Sequence, residues 1–422
     1  MILSLRQLVR SMFHLGSGEL MARLCSIAIV ILLGHRYGVF VVGVYSLGMT
    51  VAYYLQPVVD FGLRHIGARL IARYPESADE IMHRVQRRRL LMAGAVLPLT
   101  LLYARLARLP PDMKIWLALF SAAGALYALS LEWAAWGREH LRLLGLSRTL
   151  VPLCTLIAVG VRHPDGNQVL WWALAGNTAG FLLQAAIFST WWKRHRPSAA
   201  GAVEKLRAIG ESLAWRSTSI MGVALISNMA FHSIDMLMLG AMANPEQVGL
   251  YAAACRLLNQ VLVTYYLMTN VLYPKLARQK VEDRVRMLRP GILLPLFGTG
   301  VAIAVALVAL RRGLLTLFFG HQFLMGSSLL ALLAWVVPLD FLASYVGNAY
   351  IAWGMEKKML LCTTVAAASN IVLNLIWIPH YGATAAAVNT LISYSILLVS
   401  LAFAGRAVKE FPTAIEPGPE LI

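Results

Sequence analysis

The sequence predicts an all-α polytopic membrane protein with about twelve transmembrane helices in two parallel six-helix lobes. Three observations predict it: bulk composition, the sidedness of the basic residues, and an internal repeat. Hydrophobic residues make up 59% of the 422 residues and charged ones only 14%. Soluble domains carry roughly 45–50% apolar and about 25% charged residues. One span uses about 20 mostly apolar residues, so about twelve spans consume most of the apolar supply. A soluble multidomain architecture is excluded.

Apolar runs of spanning length occur in the first half at about 11–33, 39–63, 90–107, 113–136, 143–162 and 168–192. In the second half they occur at about 214–240, 247–273, 291–310, 326–353, 359–378 and 384–404. The first run follows Arg6 and Arg10 in the outline of a secretory signal. It holds Glu19 and Arg23 and is followed by many similar runs, so it reads as a retained span. The short run from 90 needs extension or tilt to cross. Within the spans, His232 and the prolines Pro57, Pro98, Pro152, Pro295 and Pro338 mark candidate bends.

An even number of spans puts both termini on one side. That side carries 28 of the 37 Lys and Arg residues, the other carries 7, and Arg23 and Arg256 lie inside spans. The positive-inside rule makes the richer side cytoplasmic, so the net charge of +17 expresses topology and not nucleic-acid binding. Arg87-Arg88-Arg89 and Lys193-Arg194-His195-Arg196 read as stop-transfer signals that meet lipid headgroups. Trp171-Trp172 and Trp191-Trp192, at opposite ends of one span, read as interfacial belts.

The chain repeats itself. Leu33-Gly34 with Val42-Gly43-Val44-Tyr45 recurs as Leu239-Gly240 with Val248-Gly249-Leu250-Tyr251, at an offset of 206. Ala135-Trp136-Gly137 recurs as Ala352-Trp353-Gly354 and Ala175-Gly176-Asn177-Thr178 as Ala387-Val388-Asn389-Thr390, at offsets of 217 and 212. Three matches in one order predict two lobes, residues 1–200 with the start of a cytoplasmic linker and residues 201–422 with a short cytoplasmic tail. Parallel repeats are characteristic of transporters that rock two bundles about a midplane site.

Enzyme chemistry has no foothold in the sequence. HExxH, Walker, GxSxG and Gly-rich dinucleotide motifs are missing, no cofactor is implied, and the longest outside loop is only about 311–325. The cysteines Cys25, Cys154, Cys255 and Cys362 fall in four different apolar runs, which suits packing better than metal or disulfide chemistry. Charges inside spans are the best functional candidates, since each costs about 2.5–3.5 kcal/mol unless paired or hydrated. Glu19 and Arg23 sit four apart on one helix face, as an ion pair or as part of a substrate site. Arg256 has no acid within a turn and is a candidate substrate ligand. Asp340, beyond Pro338, is the first candidate for ion coupling, with Glu19 and Asp235 as the others. Asp235, Glu132 and Asp60, which can pair with Arg64, lie nearer span ends and favour structural or interfacial roles.

Asp60-Phe61-Gly62-Leu63, Ile234-Asp235 with Leu239-Gly240, Val248-Gly249-Leu250-Tyr251-Ala252-Ala253-Ala254, and Leu317-Phe318-Phe319-Gly320 together form a recognisable series. It continues through Asn370-Ile371-Val372-Leu373-Asn374 and Ile378-Pro379-His380-Tyr381-Gly382. In order and over nearly the whole chain, this series resembles the polysaccharide-export flippases of the multidrug/oligosaccharidyl-lipid/polysaccharide superfamily. The resemblance implies translocation of an undecaprenyl-diphosphate-linked oligosaccharide across a bacterial inner membrane, for O-antigen, lipopolysaccharide or exopolysaccharide synthesis. A polysaccharide polymerase and chain-length proteins are the implied partners. Lipid-diphosphate flippases of this superfamily place arginines from helices 1, 2 and 8 in a central cavity. Arg23 and Arg256 match two of these placements, and helix 2 offers only Arg64 near its end. Two alternatives stand beside this reading: a cation- or proton-coupled drug or metabolite exporter of the same superfamily, and a membrane glycan polymerase or transferase.

Overall fold

The computed structural model describes residues 5–107, 111–161, 166, 168–195, 215–277, 284 and 287–405. Both termini, the linker from 196 to 214 and the side chain of His232 lie outside the described residues. All regular structure among the described residues is helical. The chain divides into two compact units, Met1–Met229 and Ala230–Ile422.

The first unit begins with α1 (Leu5–Asp60), which is 56 residues long. A straight rod of that length would measure about 84 Å at 1.5 Å per residue, nearly three times the hydrocarbon core. It is instead two helices joined at Gly38, whose φ of 81° and ψ of −171° are open only to glycine at little cost. After the turn at Phe61 and Gly62 comes α2 (Leu63–Arg73), an amphipathic helix that buries Leu63, Ile66, Leu70 and Ile71. Next come α3 (Ala78–Leu106), α4 (Pro111–Ala125), a 3₁₀ turn at Leu126–Leu129, and α5 (Glu132–Gly137). The unit continues through α6 (Leu141–Val161) and α7 (Gln168–Arg194). A cluster including Leu63, Ile66, Val85, Trp133, Phe188 and Trp192 gathers α2, α3, α5 and α7 into one core.

The division between units falls within α8 (Trp215–Met242). The second unit adds α9 (Pro245–Ala277), α10 (Pro290–Phe319) and a 3₁₀ segment at His321–Gly326. It ends with α11 (Ser327–Ala334), α12 (Val336–Ala352) and α13 (Glu356–Gly405). The 50 residues of α13 are again two helices, bent at Gly382 (φ 55°, ψ −132°). The bend frees a backbone donor, and the Gln247 side chain accepts from Ala383 N at 2.9 Å.

Seven stretches among the described residues are long and apolar enough to cross a membrane, and two of them are the kinked Gly16–Asp60 and Glu356–Gly405. Large apolar side chains stay uncovered along them: Leu294, Val305, Leu310 and Leu317 on α10 are all exposed. Water would penalise that face and lipid does not. The protein is a multi-pass membrane protein.

Of four expectations about these stretches, two hold and two need correction. The short span from 90 is part of a 29-residue helix that starts at Ala78, so polar residues extend it beyond the apolar run. α10 runs past Arg311 and Arg312 to Phe319, which removes most of the expected outside loop at 311–325. The run at 326–353 is present within the candidate span His321–Ala352, with a break at Trp335 beside the candidate bend at Pro338. Pro338 has no N–H to offer the carbonyl four residues earlier, so the helix breaks there. Trp192 is buried and donates to Asp79 Oδ1 at 3.2 Å, and so belongs to the core and not to an interfacial belt.

Candidate functional site

The first unit holds a chain of ionic contacts. The left-handed turn at Phe61 (φ 37°) and Gly62 (φ 81°) carries Arg64 away from the face of Asp60. The expected Asp60–Arg64 pair gives way to Asp60–Arg89, with Nε 2.7 Å from Oδ1 and side chains 8% and 1% exposed. The Arg89 guanidinium also donates to the Ser130 carbonyl at 2.6 Å, the Tyr127 carbonyl at 3.3 Å and Gln86 Oε1 at 3.4 Å. Ser130 lies where the helix breaks between the 3₁₀ turn and α5, so its carbonyl is open to a side-chain donor. Arg89 was expected to meet lipid headgroups, but α3 turns it inward onto this cradle. Its neighbour Arg87 is exposed.

Tyr127 links this latch to the next contacts. Its hydroxyl donates to Asp60 Oδ2 at 3.0 Å and accepts from Arg64 Nη1 at 3.3 Å. Arg64 Nη2 then reaches Glu132 Oε1 at 3.0 Å, and its guanidinium lies 5.7 Å from the centroid of Trp136. Arg148 on α6 stands between two acids, with Nε 3.7 Å from Glu132 Oε1 and Nη1 2.9 Å from Glu19 Oε2. The other oxygen of Glu19 meets Arg23 Nη2 at 2.7 Å. Side-chain exposure rises along the series from 1% at Arg89 to 36% at Arg148 and 38% at Arg23. One end is a sealed latch and the other is an accessible cluster of guanidiniums.

The expected i,i+4 pair of Glu19 and Arg23 is present, and Arg148 joins it. Sequence reasoning counted Arg89 and Arg148 as loop cations and so missed them, and it gave Arg64 to Asp60 where the structure gives it to Tyr127 and Glu132. The available signal was the three carboxylates Glu19, Asp60 and Glu132 at span ends, each needing a cation.

The second unit holds a neutral network around Asp235 on α8. Asn374 Nδ2 donates to Oδ1 at 2.6 Å, while Thr390 Oγ1 at 2.8 Å and Tyr251 Oη at 3.2 Å donate to Oδ2. Asn374 also contacts Asn370 Oδ1 at 2.7 Å and accepts from Asn389 Nδ2 at 2.8 Å. Asp235 and all three asparagines are buried. The kink at Gly382 is what brings the two parts of α13, with Asn370 and Asn374 before it and Asn389 and Thr390 after it, to one carboxylate. Among the described residues, no Lys or Arg forms an ion pair with Asp235. A buried carboxylate surrounded by hydroxyls and amides can take up a proton or a small cation in exchange for these donors.

Asp340 on α12 is buried apart from that network. Its Oδ1 accepts from Ser344 Oγ at 3.4 Å, and the Tyr394 hydroxyl is directed to it as well. Arg256 is half-buried on α9, five positions after Tyr251. Among the described residues, no group of three His, Cys, Asp or Glu is gathered for a metal. The four cysteines are free.

Long apolar helices, two of them kinked at glycines, with ionisable groups held in buried networks define a multi-pass helical membrane protein. The family model described as polysaccharide biosynthesis protein matches residues 8–280, and the chain belongs to that family. Its fold resembles that of a lipid II flippase, MurJ, in an inward closed conformation: TM-score 0.73, 16% identity, 92% of this chain and 86% of that one. It also resembles an inward-facing multidrug resistance MATE transporter of the MOP superfamily, with TM-score 0.67, 13% identity, 92% of this chain and 95% of that one. A MATE structure in complex with MaL6 matches with TM-score 0.57 and 13% identity over 95% of this chain and 96% of that one. No curated protein sequence matches.

Proposed function

We propose that this chain is a flippase that carries an undecaprenyl-diphosphate-linked oligosaccharide from the cytoplasmic to the periplasmic leaflet of a bacterial inner membrane. It works by alternating access in the assembly of a cell-surface polysaccharide, alongside a polymerase and chain-length proteins. If each kinked stretch crosses twice and α7, α8 and α9 also cross, the spans number twelve, an even count that keeps both termini on one side.

One feature carries the reading: two arginines lie inside helices that we assign as spans, Arg23 in α1 and Arg256 in α9. A diphosphate cannot cross hydrocarbon bare, because its desolvation would cost far more than a side chain's. Arginine stays charged at any physiological pH and presents forked donors that match phosphate oxygens. A site for organic cations has no use for these groups, which speaks against drug export. For ion coupling we favour Asp235 for its ring of neutral donors, with Asp340 and Glu19 as the other carboxylates.

Arg256→Ala and Arg23→Ala, with expression verified, are expected to abolish surface polysaccharide and leave lipid-linked oligosaccharide on the cytoplasmic face. Lysine should rescue only in part, since it keeps the charge and loses the fork. Normal surface glycan in both alanine variants would refute the proposal.

A further inference from the structure

The carboxylate of Glu19 is shared between two arginines in the way a phosphate group would be. One oxygen meets Arg23 at 2.7 Å and the other meets Arg148 at 2.9 Å. These guanidiniums differ from the buried one at Arg89. Arg89 spends its donors on Asp60, Ser130, Tyr127 and Gln86 and has no access to solvent. Arg148 makes a single hydrogen bond, to Glu19, and more than a third of its side chain is open.

The backbone fixes the two arginine-bearing helices at this place. A Cβ on Gly18 would collide with the carbonyl of Gly145, so α1 and α6 touch there backbone to backbone. Thr149 Oγ1 lies 3.1 Å from the Gly18 carbonyl and 3.3 Å from that of Gly145. Glu19 and Arg148 are the residues next to this crossing, so their separation is set by the main chain and not by flexible side chains.

We propose that Arg23 and Arg148 form a phosphate pincer, and that Glu19 is an internal stand-in which the phosphate displaces. Charge supports the exchange. Arg23, Arg148 and Arg64 against Glu19 and Glu132 leave one positive charge. With Glu19, one-third exposed, swung out to water, the remaining four groups carry two. A diphosphate diester carries two negative charges. That the phosphate belongs to a lipid-linked diphosphate rests on the function proposed above; the pincer chemistry itself does not.

The test uses the full-length protein in phosphatidylcholine nanodiscs, titrated separately with undecaprenyl diphosphate and with phosphatidylglycerol, with bound lipid read by native mass spectrometry. Glu19→Gln removes the competitor and should bind about three- to tenfold more tightly. Arg148→Ala should bind at least about tenfold more weakly, and the Glu19→Gln gain should vanish in the Arg148→Ala background. Glu80→Gln, which takes a carboxylate from the exposed Arg84 pair, should change nothing. A gain for undecaprenyl diphosphate assigns the pincer to the carrier lipid, and one for phosphatidylglycerol alone assigns it to a phospholipid headgroup. Unchanged or weaker binding by Glu19→Gln, a gain that survives loss of Arg148, or an equal gain from Glu80→Gln would overturn the pincer. If the pincer fails while Arg256→Ala still abolishes surface glycan, the flippase reading stands alone. If the pincer holds while Arg23→Ala and Arg256→Ala export normally, the flippase reading is the one that falls.

Discussion

At positions related by the internal repeat, the two halves bury the same apolar frame. Leu33 and Leu239, Val42 and Val248, and Tyr45 and Tyr251 are buried in both copies, and so are Asn177 and Asn389. The polar networks do not follow the repeat. The offset of 206 sets Asp235 against Ile29, which is fully buried, and sets Glu19 and Arg23 against Leu225 and Met229. Each half thus carries in polar form what the other carries in apolar form. A duplicated frame specifies helices and crossings, while the chemistry is placed once per half: cations bridged by carboxylates in the first, a carboxylate held by neutral donors in the second.

The two networks should respond differently to the loss of one member. Removing Arg89 leaves Asp60 charged and buried without a cation, which costs about 3–5 kcal/mol for a buried pair. Arg89→Ala is expected to lose most of its folded protein or its thermal transition in detergent. A transition within a few degrees of the parent would show that the latch is not structural. In the second half, Asp235→Asn keeps hydrogen-bonding capacity and removes a buried charge, so it should fold with a change of under about 1 kcal/mol. Its transport should nevertheless fail, if the network exchanges a cation or proton. Full transport by Asp235→Asn over a range of pH and sodium would end the coupling role.

The repeat permits a converse experiment. Ile29→Asn places an amide where the second half has its carboxylate but where the apolar frame offers no equivalent donors. It should destabilise by about 2–4 kcal/mol, from lost apolar burial and an unsatisfied amide together. A neutral result would mean that the first half retains a polar environment at this position, and the contrast between the halves would then be one of sequence only.

The apolar spans were legible because they are written in local composition and period. The Glu19–Arg23 pair was legible for the same reason, since four positions make one helical turn. The rest of the candidate site depends on contacts that no local spacing reaches: Glu19 meets Arg148 across 129 positions and Asp235 meets Thr390 across 155. Asp60 shows how a small backbone detail redirects a pairing. Arg64 is four residues away and would share its face on a continuous helix, but the left-handed turn at Phe61 and Gly62 removes it and admits Arg89. Loop cations and buried cations look alike in sequence, so Arg89 was assigned to lipid headgroups and Arg148 was counted only among the basic residues of one side.

The smallest expected effect tests whether the accessible end of that network is held by main chain or by side chains. Gly18 and Gly16 lie on the same turn of α1, but only Gly18 faces a neighbour. A methyl group at Gly18 meets the Gly145 carbonyl and has no rotamer by which to escape, so α1 and α6 must move apart. Overpacking of this kind costs about 1–3 kcal/mol. It would also lengthen the Glu19–Arg148 contact, because both side chains sit beside the crossing. Gly16→Ala has nothing within 4 Å of the new carbon, and helix propensity alone would make it neutral or slightly stabilising, by up to about 1 kcal/mol. Thermal unfolding of the two variants in one detergent should therefore shift in opposite directions or by clearly different amounts. Equal shifts would show that the crossing yields, and that the ion pairs hold the two helices together instead of being positioned by them.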